Sequence, residues 1–159
     1  MSSTGSGIRR RVAVVVAVLG LAAGGVFVAV GPAAAAATPT CNSSTFWWSA
    51  KWNKNLYVPV YRDSAGVRYR GCQLKKGNGP SGGVGTAVWT LQQVLNTCYN
   101  EHLSLDSDFG SNTKAALIRA QKKEHISADG IYGPQTADYL AFPFDDGDFV
   151  SPPCYSFYG

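Results

Sequence analysis

Apolar positions in the second half of the chain recur at the spacing of one helix face. Over residues 87–98 the apolar side chains fall on a single face, which predicts a helix with Thr86 as its N-terminal cap. Asn100 is suited to the left-handed conformation that often ends a helix. A second amphipathic helix is predicted over 111–124. A short third helix begins at Pro134, because proline suits the first helical position.

The first half of the chain has a strand pattern instead. Residues 56–61 are rich in β-branched and aromatic side chains, residues 62–66 form a turn, and residues 67–70 return, which predicts a β-hairpin. Pro59 cannot donate a backbone hydrogen bond, so its strand is expected at an edge or a bulge. The glycine-rich stretch 75–85 is predicted to be a loop or linker.

The N-terminus is predicted to be an export signal. Arg9, Arg10 and Arg11 precede an uninterrupted apolar run, 12–30, and small residues suited to signal-peptidase cleavage follow it up to Ala37. An uncleaved membrane anchor is the alternative, because the run is long enough to span a bilayer. The three arginines account for all but one unit of the formal charge of +4, so nucleic-acid binding is not expected.

Four cysteines lie beyond this signal: Cys41, Cys72, Cys98 and Cys154. An even number in an exported chain predicts two disulfides, and spacings of 26 residues or more do not fit the short pairs of a zinc site. We favour Cys41–Cys72 and Cys98–Cys154, which would close the aromatic segment on itself and clamp the tail to the first helix. Four cysteines allow three pairings, and the sequence leaves the choice open.

The helical half contains an internal repeat with an offset of 23 residues, 103–113 and 126–136. Each copy has an aspartate that opens a turn, an aromatic residue that can plug the space between helices, a glycine, and a threonine in the first turn of the next helix. These positions are Asp106, Phe109, Gly110 and Thr113 in the first copy, and Asp129, Tyr132, Gly133 and Thr136 in the second. The repeat predicts two equivalent turn-into-helix units in one domain.

These motifs resemble a known family, the three-helix peptidoglycan-binding domain. Residues 88–96 are similar to its opening V-x-x-L-Q-x-x-L-N, residues 106–113 to its D-G-x-F-G-x-x-T, and residues 129–136 to its D-G-I-x-G-P-x-T. Between the turns, residues 116–121 resemble its A-V-x-x-F-Q. The resemblance covers roughly residues 86–140, and it implies a small orthogonal three-helix bundle that attaches exported proteins to the bacterial cell wall.

The sequence departs from the family pattern at four positions. Ser107 and His125 stand where the family has glycine, Ala120 where it has a core phenylalanine, and Ala137 where tryptophan is frequent. A residue other than glycine at a positive φ is uncommon but tolerated. The departures bear on ligand preference more than on the fold.

The predicted fold class is mainly α: a small orthogonal three-helix bundle, preceded by an aromatic-rich segment with a β-hairpin. Five segments are predicted along the chain. They are a signal peptide at 1–37, a disulfide-stapled aromatic segment at 38–76, a glycine-rich linker at 77–85, a peptidoglycan-binding-like domain at 86–142 and a C-terminal tail at 143–159 tied by Cys154.

The aromatic cluster of the first segment allows two interpretations. It comprises Trp47, Trp48, Trp52, Tyr57 and Tyr61. The rings could stack on sugar faces as a second glycan-binding surface, or they could supply the buried area of a segment with few aliphatic residues. We favour the core interpretation.

No group of residues in the sequence has the make-up of a catalytic site. His102 and His125 are the only histidines, too few for a zinc hydrolase, and the cysteines are expected to be paired. Glu101 and Glu124 lie at polar positions expected to be exposed, unlike the paired carboxylates of a glycosidase. We therefore predict a protein without catalytic residues, metal or cofactor.

The sequence predicts a secreted, cell-wall-associated protein that binds peptidoglycan without catalysis. The eight repeat positions are the predicted ligand residues, because unpaired backbone N–H groups where helices begin suit carboxylates and amides; the same residues could instead only build the turns. Peptidoglycan is the expected partner and a wall hydrolase a candidate one, whereas nucleic acid is not expected and membrane only through the uncleaved signal during export. The alternatives are an accessory or catalytic part of a wall-hydrolase system, or an exported inhibitor or effector acting through the aromatic segment.

Overall fold

The computed structural model describes residues 37–144 and 153–158 of the chain. The predicted signal peptide, apart from Ala37, lies outside the described residues, and so does part of the predicted tail. None of the helices in the described ranges combines the length and apolar character needed to cross a membrane.

A three-stranded antiparallel sheet precedes the helices. β1 (Ser43–Ser49) and β2 (Lys54–Arg62) form a hairpin, and β3 (Arg68–Tyr69) pairs with the last two residues of β2. The predicted pairing of β2 with a returning strand is confirmed, whereas β1 was not predicted because its Trp-rich sequence lacks polar–apolar alternation. β3 pairs only with the last two residues of β2, so at Pro59 the strand has β1 as its one described neighbour. This fits the edge position expected of proline.

Three helices follow: α1 (Gly82–Tyr99), α2 (Ser111–Lys123) and α3 (Pro134–Tyr139). All three were predicted. The left-handed conformation expected of Asn100 is confirmed by its φ of 57°, and its N–H donates to the Leu95 carbonyl.

The first helix begins one turn earlier than predicted, at Gly82 with Ser81 as its cap, and not at Thr86. Glycine disfavours helix formation, so this stretch has the composition of a loop. In the structure the missing side chain permits a close approach. A Cβ atom on Gly83 would lie 1.9 Å from the carbonyl oxygen of Asn42, so glycine lets the first turn of α1 pack against the start of the sheet.

A second small sheet and two isolated bridges join the strand half to the helical half. β4 (Phe142–Pro143) pairs with β5 (Cys154–Tyr155) in antiparallel orientation. The bridges pair Leu56 with Phe144 and Leu74 with Tyr132.

Strands and helices share one hydrophobic core, and the prediction of a mainly α fold is wrong. Of the described residues, 32% are helical and about 24% lie in strands or bridges. The prediction failed because the family motifs describe only the helical half, whereas the aliphatic residues of β2 bury themselves in the same core. Fully buried members from both halves include Leu56, Val58, Val60, Val88, Leu91, Leu95, Leu117 and Phe142.

The core interpretation of the aromatic cluster is only partly correct. Trp47 and Tyr61 pack against the core, but Trp48 is 53% exposed and Trp52 is 37% exposed. The core was expected to consist mainly of these aromatic rings. The fully buried residues of β2 are aliphatic instead: Leu56, Val58 and Val60.

Both favoured disulfides are confirmed. Cys41–Cys72 joins the residue stretches that flank the sheet, and Cys98–Cys154 joins the last turn of α1 to β5. The Cys98–Cys154 disulfide therefore ties the last described segment, 153–158, to the helical half.

Candidate functional site

The first repeated turn is organised around the buried side chain of Gln92 in α1. Its Nε2 group donates to Asp106 Oδ1 (2.7 Å), the Asp108 carbonyl (3.0 Å) and Thr113 Oγ1 (3.2 Å), and its Oε1 accepts from the Ser107 N–H (3.1 Å). Asp106 Oδ1 also accepts from the Asp108 N–H at 2.9 Å, as expected of an aspartate that opens a turn.

The second turn has the same arrangement around Gln121 in α2. Its Nε2 group donates to Asp129 Oδ1 (3.1 Å), the Ile131 carbonyl (3.0 Å) and Thr136 Oγ1 (3.0 Å), and its Oε1 accepts from the Gly130 N–H (2.9 Å). The two predicted turn-into-helix units are therefore equivalent in their hydrogen bonds as well as in sequence.

The eight predicted ligand residues differ in how much they can offer a ligand. The aromatic and threonine side chains are buried: Phe109, Thr113, Tyr132 and Thr136. The aspartates are exposed and the glycines are N-caps of α2 and α3: Asp106, Asp129, Gly110 and Gly133. The Tyr132 hydroxyl is buried without a hydrogen-bond partner in the described part of the chain, and burial raises its pKa.

A polar groove of about 400 Å³ opens beside the first turn, between the α1–α2 connection and α2. Amide, hydroxyl, imidazole, carboxylate and guanidinium groups line it, including those of His102, Ser104, Asp106, Asn112, Thr113 and Arg119. Two of the eight predicted residues, Asp106 and Thr113, thus lie at the groove. The four predicted residues of the second turn do not line it.

An ion pair forms one wall of the groove. Arg119 Nε donates to Glu101 Oε1 at 2.8 Å and Arg119 Nη2 donates to Oε2, so the contact is bidentate. The Glu101 side chain is 13% exposed and the Arg119 side chain 58% exposed. The prediction that Glu101 is exposed is wrong, because the arginine draws its carboxylate towards α2.

Hydrogen bonds favour the ionised form of both groove carboxylates. The Arg119 side chain lowers the pKa of Glu101, and the Gln92 amide lowers the pKa of Asp106. The groove can therefore offer fixed charges and hydrogen bonds to a ligand. Across residues 37–144 and 153–158, no three His, Cys, Asp or Glu side chains come together in a way that could hold a metal ion.

Sequence reasoning missed the residues that position this site. Gln92 and Gln121 are part of the quoted motifs, and a polar residue on an otherwise apolar helix face was the available signal for a buried role. The Glu101–Arg119 pair had no such signal, because the partners are 18 residues apart and Arg119 has the pattern of a solvated helix position.

These helices, turns and the groove correspond to a known domain. The model of the family described as a putative peptidoglycan binding domain matches residues 84–140. Residues 84–140 are a domain of this family. The peptidoglycan-binding domain covers about a third of the chain, contains both turns and every groove residue, and excludes the sheet.

One solved structure is similar to the chain over a limited part. It is the crystal structure of a peptidoglycan-binding protein from Clostridioides difficile in complex with glutamine hydroxamate, with 28% identity and a TM-score of 0.41 over 58% of this chain and 53% of that one. The chain thus spans about half the length of that protein, and at this TM-score the likeness adds nothing to the domain assignment. No curated protein matches the chain.

Proposed function

We propose that this chain is an exported, non-catalytic protein that binds peptidoglycan through the groove beside its first turn. One observation carries the proposal: the residues of the peptidoglycan-binding domain include every residue that lines the groove. Export is supported by the arginines, apolar run and small residues within 1–37, and by two disulfides, which form in oxidising compartments. Export and peptidoglycan binding together imply a secreted protein that is bound to the cell wall.

The groove suits the stem peptide of peptidoglycan better than it suits sugar rings. Asn112 and Arg119 offer donors, and the ionised Asp106 offers an acceptor. Stem peptides carry amides and carboxylates that pair with such groups, and the groove has the volume of a small-ligand site. Glu101 holds the guanidinium of Arg119 in place before a ligand arrives, which reduces the ordering cost of binding.

Ligand contact is proposed at the first turn, through the exposed Asp106, whereas the buried Thr113 only lines the groove wall. The part of the second turn in binding stays a prediction, and so does the division of the chain into signal, aromatic segment, linker, domain and tail. A wall hydrolase stays a candidate partner.

The groove carboxylates support a function without catalysis. A carboxyl group that protonates a leaving group near neutral pH needs a raised pKa. Glu101 and Asp106 both have lowered pKa values, so neither is suited to donate a proton.

Co-sedimentation of residues 38–159 with purified sacculi tests the proposal. We expect the protein to sediment with the wall and to release neither reducing sugar nor new amino groups. Asn112→Ala should weaken binding about tenfold, or ~1.4 kcal/mol, because it removes an exposed amide from the groove. Lys122→Ala is the matched control, since it alters an exposed residue of the same helix outside the groove.

Two results would count against the proposal. Equal binding by Asn112→Ala and Lys122→Ala, at equal stability, would place the site elsewhere. Metal-dependent release of soluble wall fragments would contradict the absence of catalysis.

A further inference from the structure

One carboxylate of the polar groove has no counter-ion. The ionisable groups that line the groove belong to Glu101, Asp106, Arg119 and His102, and the formal charge counts histidine as neutral. The guanidinium of Arg119 is committed to Glu101 by the bidentate contact. Asp106 is exposed and forms no ion pair within residues 37–144 and 153–158. The groove therefore has an excess of negative charge, and this charge lies at Asp106.

The first turn uses only one of the two oxygens of this carboxylate. Oδ1 of Asp106 accepts from the Gln92 amide at 2.7 Å and from the Asp108 N–H at 2.9 Å. Oδ2 accepts no hydrogen bond from another residue in the described part of the chain. Since each carboxylate oxygen can accept hydrogen bonds, Oδ2 is left for a ligand. The bonds to Oδ1 hold the carboxylate in place before the ligand arrives, which lowers the ordering cost of binding.

The lysines of α2 do not supply the missing counter-charge. The side chain of Lys114 runs towards the second turn, where a Cβ atom on Gly130 would lie 2.7 Å from its Cγ and 2.8 Å from its Cε. The Nζ atom of Lys123 lies 5.2 Å from the centroid of the Tyr99 ring. Neither of these lysines nor Lys122 lines the groove. The position beside Asp106 is thus open to a cation that a ligand brings.

We propose that Asp106 binds a primary ammonium group, and that the groove therefore prefers stem peptides whose diamino acid has a free side-chain amine. In peptidoglycan this amine becomes an uncharged amide when two stem peptides are cross-linked, so a free amine marks wall that is not cross-linked. An ammonium group carries the charge that the groove lacks and donates up to three hydrogen bonds. The inference rests on the proposed function, because it specifies which stem peptide the groove takes.

The remaining polar groups of the groove suit the peptide around such an amine. The contact with Glu101 uses Nε and Nη2 of Arg119 and leaves Nη1 with two N–H groups for a carbonyl or carboxylate. The amide of Asn112 can both donate and accept. A metal ion matches the groove less well than an amine, because no three His, Cys, Asp or Glu side chains of the described residues come together to hold one.

Two synthetic peptides isolate the ammonium group. Both are stem pentapeptides with an acetylated N-terminus and with lysine as the diamino acid. In one the side-chain amine is free, and in the other it is acetylated, which removes its charge. In calorimetric titrations of residues 38–159, the wild type should bind the free-amine peptide about three- to fivefold more tightly, which is the strength of an ion pair open to solvent. Added salt should reduce this preference.

Asp106→Asn removes the charge and preserves the turn. The side-chain carbonyl of asparagine can take the place of Oδ1 and accept from the Gln92 amide and the Asp108 N–H. This variant should bind the two peptides with equal affinity, because the acetyl group then replaces a charge that has no partner.

Asp129→Asn in the second turn is the matched control. Oδ1 of Asp129 accepts from the Gln121 amide at 3.1 Å and from the Ile131 N–H at 2.8 Å, so the same bonds are altered, but Asp129 does not line the groove. The control should keep the preference of the wild type for the free amine. Thermal unfolding of both variants checks that their stabilities change to a similar extent.

The outcomes distinguish this inference from the proposed function. Equal binding of both peptides by the wild type, or a preference that survives Asp106→Asn, would overturn the inference and leave the groove as a stem-peptide site. A preference lost in Asp129→Asn alone would place the amine at the second turn and overturn it as well. A wild type that binds neither peptide would count against the groove and the inference together. Tighter binding of a glucosamine tetramer, which carries ammonium groups on sugars, would overturn the assignment of the amine to the stem peptide.

Discussion

Gln92 and Gln121 hold equivalent positions in the two turns, although they lie 29 residues apart and the turns repeat every 23. Each donates to an aspartate carboxylate, a backbone carbonyl and a threonine hydroxyl, and each accepts one backbone N–H. A buried amide is tolerated only when its polar groups are paired. Each glutamine therefore fixes its turn between the helix before it and the helix after it.

Replacing a glutamine by methionine keeps its size and removes these hydrogen bonds. Gln121→Met should lower the free energy of unfolding by about 2–4 kcal/mol, because buried partners such as the Gly130 N–H are left unpaired. Urea-induced unfolding measures the change. Gln93→Met, at a half-buried position of α1, should change it by less than about 0.5 kcal/mol, and an equal loss in both variants would contradict the role given to Gln121.

The second residue of each turn is left-handed, with φ of 63° at Ser107 and 71° at Gly130. A side chain at such an angle costs about 1–2 kcal/mol, whereas glycine adds about 0.4–1 kcal/mol of unfolded-chain entropy. Ser107→Gly should therefore raise the free energy of unfolding by about 0.5–1 kcal/mol. The reverse change, Gly130→Ala, should lower the free energy of unfolding by at least about 1 kcal/mol. It places a side chain at a positive φ, and its Cβ would also lie 2.7 Å from Lys114 Cγ.

Thermal and urea unfolding of Ser107→Gly and Gly130→Ala measure these opposite effects, with Ser104→Gly as the control. Ser104 does not have a positive φ, so glycine there brings only the entropy loss and should destabilise. A destabilised Ser107→Gly would contradict the argument from backbone strain.

The helical half could be predicted because its signals are local. The turn aspartates, the left-handed Asn100 and His125, and the proline that begins α3 each follow from the conformational limits of one or two residues. The start of α1 could not be predicted in this way. Gly83 is accommodated in the first turn because its missing side chain lets the Asn42 backbone lie against the helix, and that contact cannot be read from the local sequence.

The candidate site shows the same division between local and tertiary information. The turn motif located Asp106 and Thr113, both of which line the groove. Arg119 and its partner Glu101 lie on separate elements, and only the packing of α2 against the α1–α2 connection brings them together. The exposure of Trp48 likewise depends on how the sheet meets the core.

The Glu101–Arg119 pair makes stability depend on pH. The folded-state pKa of Glu101 lies below its ordinary value of 4.5, so the pair stabilises the fold above pH 4.5 and its contribution is lost as the pH falls through the folded-state pKa. Glu101→Gln should therefore be less stable than the wild type at pH 7, and the difference should shrink as the pH is lowered below 4.5. Urea unfolding at pH 7 and at pH 3 measures both differences.

Arg119→Gln is the partner control for this effect. Once the guanidinium is removed, Glu101→Gln should no longer change how the free energy of unfolding depends on pH. The double variant Glu101→Gln/Arg119→Gln should therefore behave like Arg119→Gln alone. A difference between wild type and Glu101→Gln that grows towards pH 3 would contradict the sign of the pKa shift.

The second turn offers a direct test of which predicted residues contact the wall. Tyr132→Phe removes a buried hydroxyl that has no partner within the described residues, so stability should stay equal or rise by about 1 kcal/mol. Thr136→Val removes a hydroxyl that donates to the Ile131 carbonyl at 3.1 Å and accepts from Gln121 at 3.0 Å, so it should cost about 1–3 kcal/mol.

Thr113→Val in the first turn is the matched variant of Thr136→Val. Its hydroxyl donates to the Asp108 carbonyl at 3.2 Å and accepts from Gln92 at 3.2 Å, so the stability loss should be similar. Gln92, the partner of Thr113, also holds the groove residue Asp106, whereas Gln121, the partner of Thr136, holds no groove residue. Only Thr113→Val should therefore weaken sedimentation with sacculi beyond what its stability explains. Loss of wall binding in Tyr132→Phe at unchanged stability would instead place ligand contacts at the second turn, because that variant leaves every described hydrogen bond of the turn intact.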